Sequence, residues 1–491
     1  SQEHVFYIKF KEDKISLNEI RDKALLKVKV SSSNKKIENF LNGEEIIKIE
    51  KPYVGAGSEF LEAFYKITCT DKNLVRRIKS NFSTEISQLD TIQTPVLLNN
   101  YLPNDYSLTT GTSHFELIGA NKIWGIIKDI PKATVAITDS YFEVGHEDFN
   151  GQYLTVLGLN TSTVGFAYHG TQVAGLIGAL SDNNIGIASI GYNTKIAVSS
   201  NYGSDDEVLR LAMAGYRIIN CSWFNSCSPS TRQQELYRTI RDTWNTVVVF
   251  GAGNHPSHCG SNVAKVYPAS YESVLSISSV GHVNPYGYID PTYGKAGWKD
   301  LHEDTAGDTT ATHHHNDAVD LVAPGYNVPT TRMRSEGNYG GAWGTSYAAP
   351  IVAAAAGVIR SVNPCLTAKQ TMDILKRTAD ASIYNIPENM KYEGKLGTGR
   401  LDVYKAVREA VTTKVQNTTT PSFSINTNGT FVDIGSNVAP RPQGPVVVSA
   451  GTNWSISGRE VFIKNDFEAK LGSEITITTS PTFPLGCYYN D

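Results

Sequence analysis

The sequence predicts an α/β protein: a mostly parallel sheet sandwiched by helices, preceded by a small α+β unit and followed by a small all-β module. Three observations carry that expectation. Short apolar runs alternate with helical patterns through the middle of the chain, the first hundred or so residues have a separate Lys-rich texture, and the helical signal stops after Val411. Apolar strands alternating with helices imply a parallel sheet covered on both faces, with any site at the carboxyl ends of the strands.

In chain order, residues 4–10 alternate as a strand, 17–26 are helix-like and 63–69 form a second strand. Asp71 caps a short helix through Ser80, and 85–91 make a third strand. Residues 94–105, punctuated by Pro95 and Pro103, have the composition of an exposed linker. Buried strands follow at 134–138, 195–199, 218–222, 247–250, 274–277 and 319–322, with helices at 169–180, 204–214 and 230–244 between several of them. Residues 412–420 read as a Thr-rich linker, and 422–491 as short strands with Gly, Asn and Pro turns. The expected domains are therefore 1–104, 105–411 and 412–491.

The chain has 491 residues, with 44 Lys and Arg against 48 Asp and Glu, for a net charge of −4. That balance gives no general electrostatic case for a nucleic-acid partner. No stretch reaches the roughly 18 to 20 apolar residues of a membrane span; the best run, 347–359, contains Pro350. The sequence begins Ser1-Gln2-Glu3 without Met, which fits either a leader or another boundary trimmed away before the numbering starts and leaves export as one expectation. Six scattered cysteines make no disulfide scaffold and contain no CxxC pair, leaving room for one or two bridges.

Three segments stand where the strands end. Residues 135–139 are an apolar strand closing on Asp139; His169-Gly170-Thr171 opens a helix; and Gly344-Thr345-Ser346 opens an Ala-rich helix. A hydroxyl, an imidazole and a carboxylate are the parts of acyl-transfer catalysis. Ser346 at a helix N-terminus also feels the positive end of the helix dipole. A fourth segment, 249–254, ends another strand with Asn254, whose side-chain amide suits an oxyanion donor.

Taken together, in the chain order Asp, His, Ser, these residues resemble the signature of the subtilisin-like serine proteases, the subtilases. Residues 183–188, 219–223, 267–269, 319–325 and 397–402 add further matches, so the likeness covers roughly residues 100 to 410. The resemblance implies a serine endopeptidase acting on peptides or proteins, with Ser346 as nucleophile, His169 as general base and Asp139 orienting it. It implies an oxyanion hole of Asn254 and the Ser346 N–H, and a cleft lined by Ser222, Trp223, Phe224, Gly251, Ala252 and Gly253, where a peptide adds as a strand. Trp223 and the rim 255–259 are then expected to shape the first side-chain pocket. Three residues depart from the family pattern: Tyr141 in place of Gly, Gln172 in place of a second His, and Tyr347 in place of Met. His169 stands where acid-active relatives carry Glu. A lipase-type α/β-hydrolase is excluded because Ser346 lacks the G-x-S-x-G elbow.

By the same resemblance, residues 1–104 are a propeptide that caps the enzyme and inhibits it, the chain being a zymogen cut within 94–106. Asp148 with Leu180, Asn183, Ile185 and Ile187 match positions that gather oxygens around structural Ca²⁺ in many subtilases, the alternative being a plain polar turn. Residues 456–476 resemble a β-repeat of exported Bacteroidetes proteins, which supports a secreted, cell-surface or periplasmic bacterial setting. His313, His314 and His315, with His302, Asp308 and Asp317 nearby, cannot all aim at one ion from one loop and read as a solvated insertion. Cys227 and Cys259 follow strands expected to be neighbours, so a bridge between them would stiffen the pocket rim; Cys221 reads as buried and reduced. From a different class, the alternative is a non-catalytic subtilase-fold surface or binding protein.

Overall fold

The computed structural model describes residues 4–11, 15–21, 28–51, 62–71, 73–92, 101–107, 111–149, 153–158, 169–283, 299–302, 313–436, 438–439, 443–480 and 484–487. The chain divides into two compact units, Ser1–Leu97 and Leu98–Asp491.

In the first unit, strands β1 (His4–Phe10), β4 (Ile46–Glu50), β5 (Phe64–Cys69) and β6 (Ile86–Ile92) form an antiparallel sheet in the order β4-β5-β1-β6. Helices Lys35–Asn42 and Leu74–Asn81 contribute Ile37, Leu41, Leu74 and Ile78 to a core with Phe6, Ile8 and Ile67. The Asn34 side chain accepts the Lys36 and Ile37 N–H groups and caps the first helix. The helix expected over 17–26 is not formed at its start. Residues Leu17–Arg21 are strand β2, paired antiparallel with β3 (Val28–Ser32), while 22–27 lie outside the described residues. Ile15 and Leu17 are buried while Asn18 is exposed, a period of two rather than 3.6.

The second unit is built on a seven-stranded sheet of β7 (Val135–Thr138), β8 (Leu154–Gly158), β9 (Ile196–Ser199), β10 (Ile218–Cys221), β11 (Val247–Gly251), β12 (Leu275–Val280) and β13 (Leu321–Pro324). Every pairing in it is parallel, in the order β13-β12-β11-β10-β7-β9-β8. Alternate residues of each strand enter opposite cores. Val135, Ile137, Ile218, Val247 and Val249 pack with helices His169–Gly178 and Thr345–Val362, whereas Ala136, Ile219, Val248 and Phe250 pack with Asp205–Met213 and Thr231–Asp242. This is the two-sided burial that an apolar parallel strand requires. Among the described residues one helix, Thr345–Val362, has the length and apolarity of a membrane span, but it is the central core helix and 89% of it is buried. A hairpin of β14 (Val328–Thr331) and β15 (Tyr339–Ala342) leads into it.

Residues 101–107 belong to this larger unit rather than to the first, which ends before the Asn104 boundary expected from composition. The Asn104 N–H donates to Asp182 Oδ1 at 2.8 Å, and the Tyr106 ring packs edge-on to Trp124.

The C-terminal module is a three-sided parallel solenoid. Strands β16 (Thr412–Val415), β17 (Thr418–Thr419) and β18 (Ile425–Asn428) make the first coil, followed by β19 (Phe431–Ile434), β20 (Val446–Val448) and β21 (Asn453–Gly458). The last coil is β22 (Glu460–Ile463), β23 (Phe467–Ala469) and β24 (Glu474–Thr479). Each face is a parallel sheet with one strand from every coil, around Val432, Ile434, Val446, Val448, Trp454 and Ile456. The Thr-rich linker expected over 412–420 is thus the start of the solenoid, with Thr412 and Thr420 buried. A Cys365–Cys487 disulfide staples the chain beyond the solenoid to the body built on the seven-stranded sheet.

Candidate active site

Asp139 follows β7 at the carboxyl edge of the sheet, its N–H bound to the Ser199 carbonyl of neighbouring β9. Its Oδ1 lies 2.7 Å from His169 Nδ1 and also accepts the Ser140 N–H at 2.7 Å. The carboxylate is 3% exposed and the imidazole 19%. Burial pulls the imidazole down, but the Asp139 charge and hydrogen bond outweigh it and hold His169 above the usual histidine value. With Nδ1 occupied by Asp139, Nε2 is the nitrogen left for a reacting group.

Ser346 is the second residue of the helix Thr345–Val362. Its hydroxyl is 3.4 Å from the Ser222 carbonyl, while the Ser222 hydroxyl donates to the Ser346 carbonyl at 2.8 Å. The next residue, Tyr347, brings its ring 5.4 Å from that of His169, so the imidazole sits beside the turn that carries Ser346.

Asn254 is held in one amide orientation. The Thr345 N–H donates to its Oδ1 at 2.8 Å, which leaves the Nδ2 hydrogens as donors beside Ser346. Gly344 has φ +138°, and a Cβ there would stand 3.2 Å from Asn254 Nδ2, so backbone conformation and close approach both call for glycine. A cavity of about 190 Å³ opens between Ser222, Trp223 and Phe224 on one side and Gly251, Gly253 and Asn254 on the other, with Ser346 at its edge. Of the expected cleft residues, Ala252 is the one turned away: its side chain is buried and its N–H binds the Ile277 carbonyl inside the sheet. Trp223 lines the cavity, with its indole N–H on Thr138 and its ring edge-on to Phe250. The expected Cys227–Cys259 disulfide is present and ties the two rims, across which Phe224 meets His258. Cys221 and Cys69 are buried thiols.

The histidine triplet is a correction. His313, His314 and His315 are buried, not solvated, because they form an extended segment laid against the rim. His313 bridges to Asn254, the His314 N–H donates to the Gly253 carbonyl at 2.9 Å, and the His315 N–H to that of Asn262 at 2.9 Å. The His314 ring lies within 3.1 Å of the His255 carbonyl and 3.2 Å of the Ala264 carbonyl. His302 joins the cluster through His315 at 3.1 Å, and burial drops His302 and His313 to about 3. Asp308 lies outside the described residues, and among those described no metal-binding group of His, Cys, Asp and Glu is formed.

Asp148 lies at the loop 180–187 as expected. Its Oδ1 accepts the Asn183 amide at 2.9 Å and its Oδ2 the Ile187 N–H at 3.0 Å, while the Leu180 N–H binds its carbonyl. The Ile185 N–H donates to Asn183 Oδ1. Leu180, Ile185 and Ile187 therefore face this centre with N–H donors that orient the oxygens. Sequence reasoning missed a second carboxylate: Asp105 is buried, accepts the Asn183 N–H through Oδ2, and leaves Oδ1 without a partner. Burial pushes Asp148 up to about 7, with Asp105 adding to the effect, and burial raises Asp105 as well. Only the linker composition around Asp105 was visible in the sequence.

Residues 131–418 match the family model described as "Subtilase family". The chain belongs to the subtilase family. Among curated relatives, this subtilase is 27% identical over 336 residues to the cell wall-associated protease of Bacillus subtilis, covering 61% of this chain and 34% of that protein. It is 28% identical over 301 residues to the thermophilic serine proteinase of Bacillus sp. strain AK1, covering 58% and 64%. With thermitase of Thermoactinomyces vulgaris it shares 27% over 322 residues, covering 63% of this chain and all of that one. The subtilase chain thus spans about a third and just under two thirds of the first two relatives.

Proposed function

We propose that this subtilase is a serine endopeptidase made as a proenzyme, with Asp139, His169 and Ser346 as its triad. What carries the reading is the 2.7 Å bond between Asp139 and His169 beside the helix start that bears Ser346. A χ1 rotation takes the Ser346 hydroxyl from the Ser222 carbonyl toward Nε2. Ser346 Oγ attacks the scissile carbonyl as His169 takes its proton, and the oxyanion receives hydrogen bonds from Asn254 Nδ2 and the Ser346 N–H. His169 then protonates the leaving amine as the C–N bond breaks. A water attacks the acyl-enzyme, giving its proton to His169, which returns one to Ser346 as the acid leaves.

Residues 1–97 act in this reading as the inhibitory propeptide. Because 101–107 are anchored to the catalytic body, the cut falls before Tyr101. Two disulfides accord with an exported protein, at the cell surface or in the periplasm. Structural Ca²⁺ fits Asp105, Asp148 and Asn183: among the described residues neither carboxylate has a Lys or Arg partner, and one buried oxygen is orphaned. The ion would serve the fold and no chemical step.

The test is self-processing. The purified full chain should release its N-terminal unit on incubation and then hydrolyse peptides, while Ser346→Ala stays whole. Cleavage of pure Ser346→Ala at the same rate would remove the proposal.

A further inference from the structure

A groove lies away from the cleft, where helices Ala368–Arg377 and Val403–Ala410 meet the solenoid. It measures about 490 Å³. Among the described residues five cationic side chains line it, Arg377, Lys405, Arg408, Lys414 and Lys464, against two carboxylates, Glu409 and Asp433. Each carboxylate is shared by two cations. Glu409 meets Arg377 at 2.8 Å and also Lys414; Asp433 meets Lys464 at 2.8 Å and Arg408 at 3.1 Å. Lys405 reaches Asp402, outside the lining, at 3.2 Å. Counting Asp402, five cations face three anions, an excess of two, in a chain whose net charge is −4. A concave wall with a net excess of one sign focuses its field on whatever enters.

We propose that this groove binds a phosphate-bearing anion. Two guanidinium groups offer the planar, paired donors that suit phosphate oxygens, and the lysines add point charges around them. An excess of two positive charges matches a phosphate carrying about two negative ones at neutral pH. The Thr378 and Gln443 side chains supply neutral polar groups in the same wall. Since Arg377 and Lys405 come from the catalytic body and Lys414 and Lys464 from the solenoid, the ligand bridges the two and stabilises their union. The inference does not depend on the protease reading.

The test is calorimetric titration of the full chain, carrying Ser346→Ala to stop autolysis, with sodium pyrophosphate at constant ionic strength set by chloride. Saturable one-to-one binding that weakens with added chloride is expected, together with a rise in melting temperature. Lys405→Gln and Lys464→Gln, both at exposed side chains, should each weaken it about tenfold, as expected for loss of one charge-assisted contact. Lys369→Gln, outside the groove, should leave it unchanged. Sedimentation with phosphatidylglycerol vesicles separates the sources: co-sedimentation lost in Lys464→Gln assigns a lipid phosphate, and pyrophosphate binding without it assigns a free one. No saturable binding of either, or Lys405→Gln and Lys464→Gln variants that bind as tightly as the parent, overturns the proposal.

Discussion

The Tyr347 hydroxyl donates a hydrogen bond to Gln172 Oε1 beside the candidate site, joining the helix that carries His169 to the helix that carries Ser346. The two residues are matched as a pair: an amide and a phenol satisfy one another where both are buried.

That pairing makes the two positions energetically coupled. Tyr347→Phe orphans the buried amide oxygen and should cost about 1–3 kcal/mol. Adding Gln172→Leu should recover part of the loss, with a coupling of about 1 kcal/mol in a double-mutant cycle. Urea unfolding of the four proteins measures it, and additive effects would contradict the pairing.

The buried histidines make the fold acid-labile. Burial holds His302 and His313 at about 3 and His282 at about 4, below the ordinary value near 6.5. Between those values the unfolded chain binds more protons than the folded one, so stability falls as pH falls. The slope is about 1.4 kcal/mol per pH unit for each such histidine. Melting temperatures should drop steeply between about pH 6.5 and 4; a flat profile there would count against burial of the cluster.

Asn254 and His314 should separate by kinetic signature. Asn254→Ala removes the proposed oxyanion donor and should lower kcat about 10²- to 10³-fold with little change in KM. His314→Ala loosens the rim from behind without touching substrate. It should lower stability and raise KM, with a smaller loss in kcat. An equal effect of both on kcat would place His314 closer to the chemistry than its contacts indicate.

The two disulfides should also differ. Cys365 and Cys487 are 122 residues apart, so their replacement by Ser should cost about 2–5 kcal/mol in unfolding. Cys227 and Cys259 close a shorter loop on the pocket rim, and their replacement should alter preference among substrates more than it alters stability. Unfolding curves and peptide-library profiles of the two double mutants check the contrast.

The elements that carry the candidate site were legible because Asp139, His169, Asn254 and Ser346 stand at or just past strand ends and helix starts that the local apolar pattern marks. The Cys227–Cys259 bridge was legible for the same reason, since its cysteines follow adjacent strands. The solenoid was not. Phe431 pairs with Glu460 and Trp454 with Ile475, so its register lies a whole coil away and no local periodicity announces it. Leu17 looked helical because Ile20, Ala24 and Leu25 follow it in the sequence at an apolar helical spacing, which the β2–β3 pairing overrides. The histidine triplet misled because three polar rings in a row suggest solvent. Their burial depends on carbonyls at Gly253, His255, Asn262 and Ala264 that only the folded rim brings together.

The most direct test of the account is covalent labelling of the processed chain with a fluorophosphonate, read by peptide mass spectrometry. A nucleophile activated by His169 predicts one modified residue, Ser346, with labelling abolished by His169→Ala. No label after release of the N-terminal unit, or a label on another residue, would contradict it.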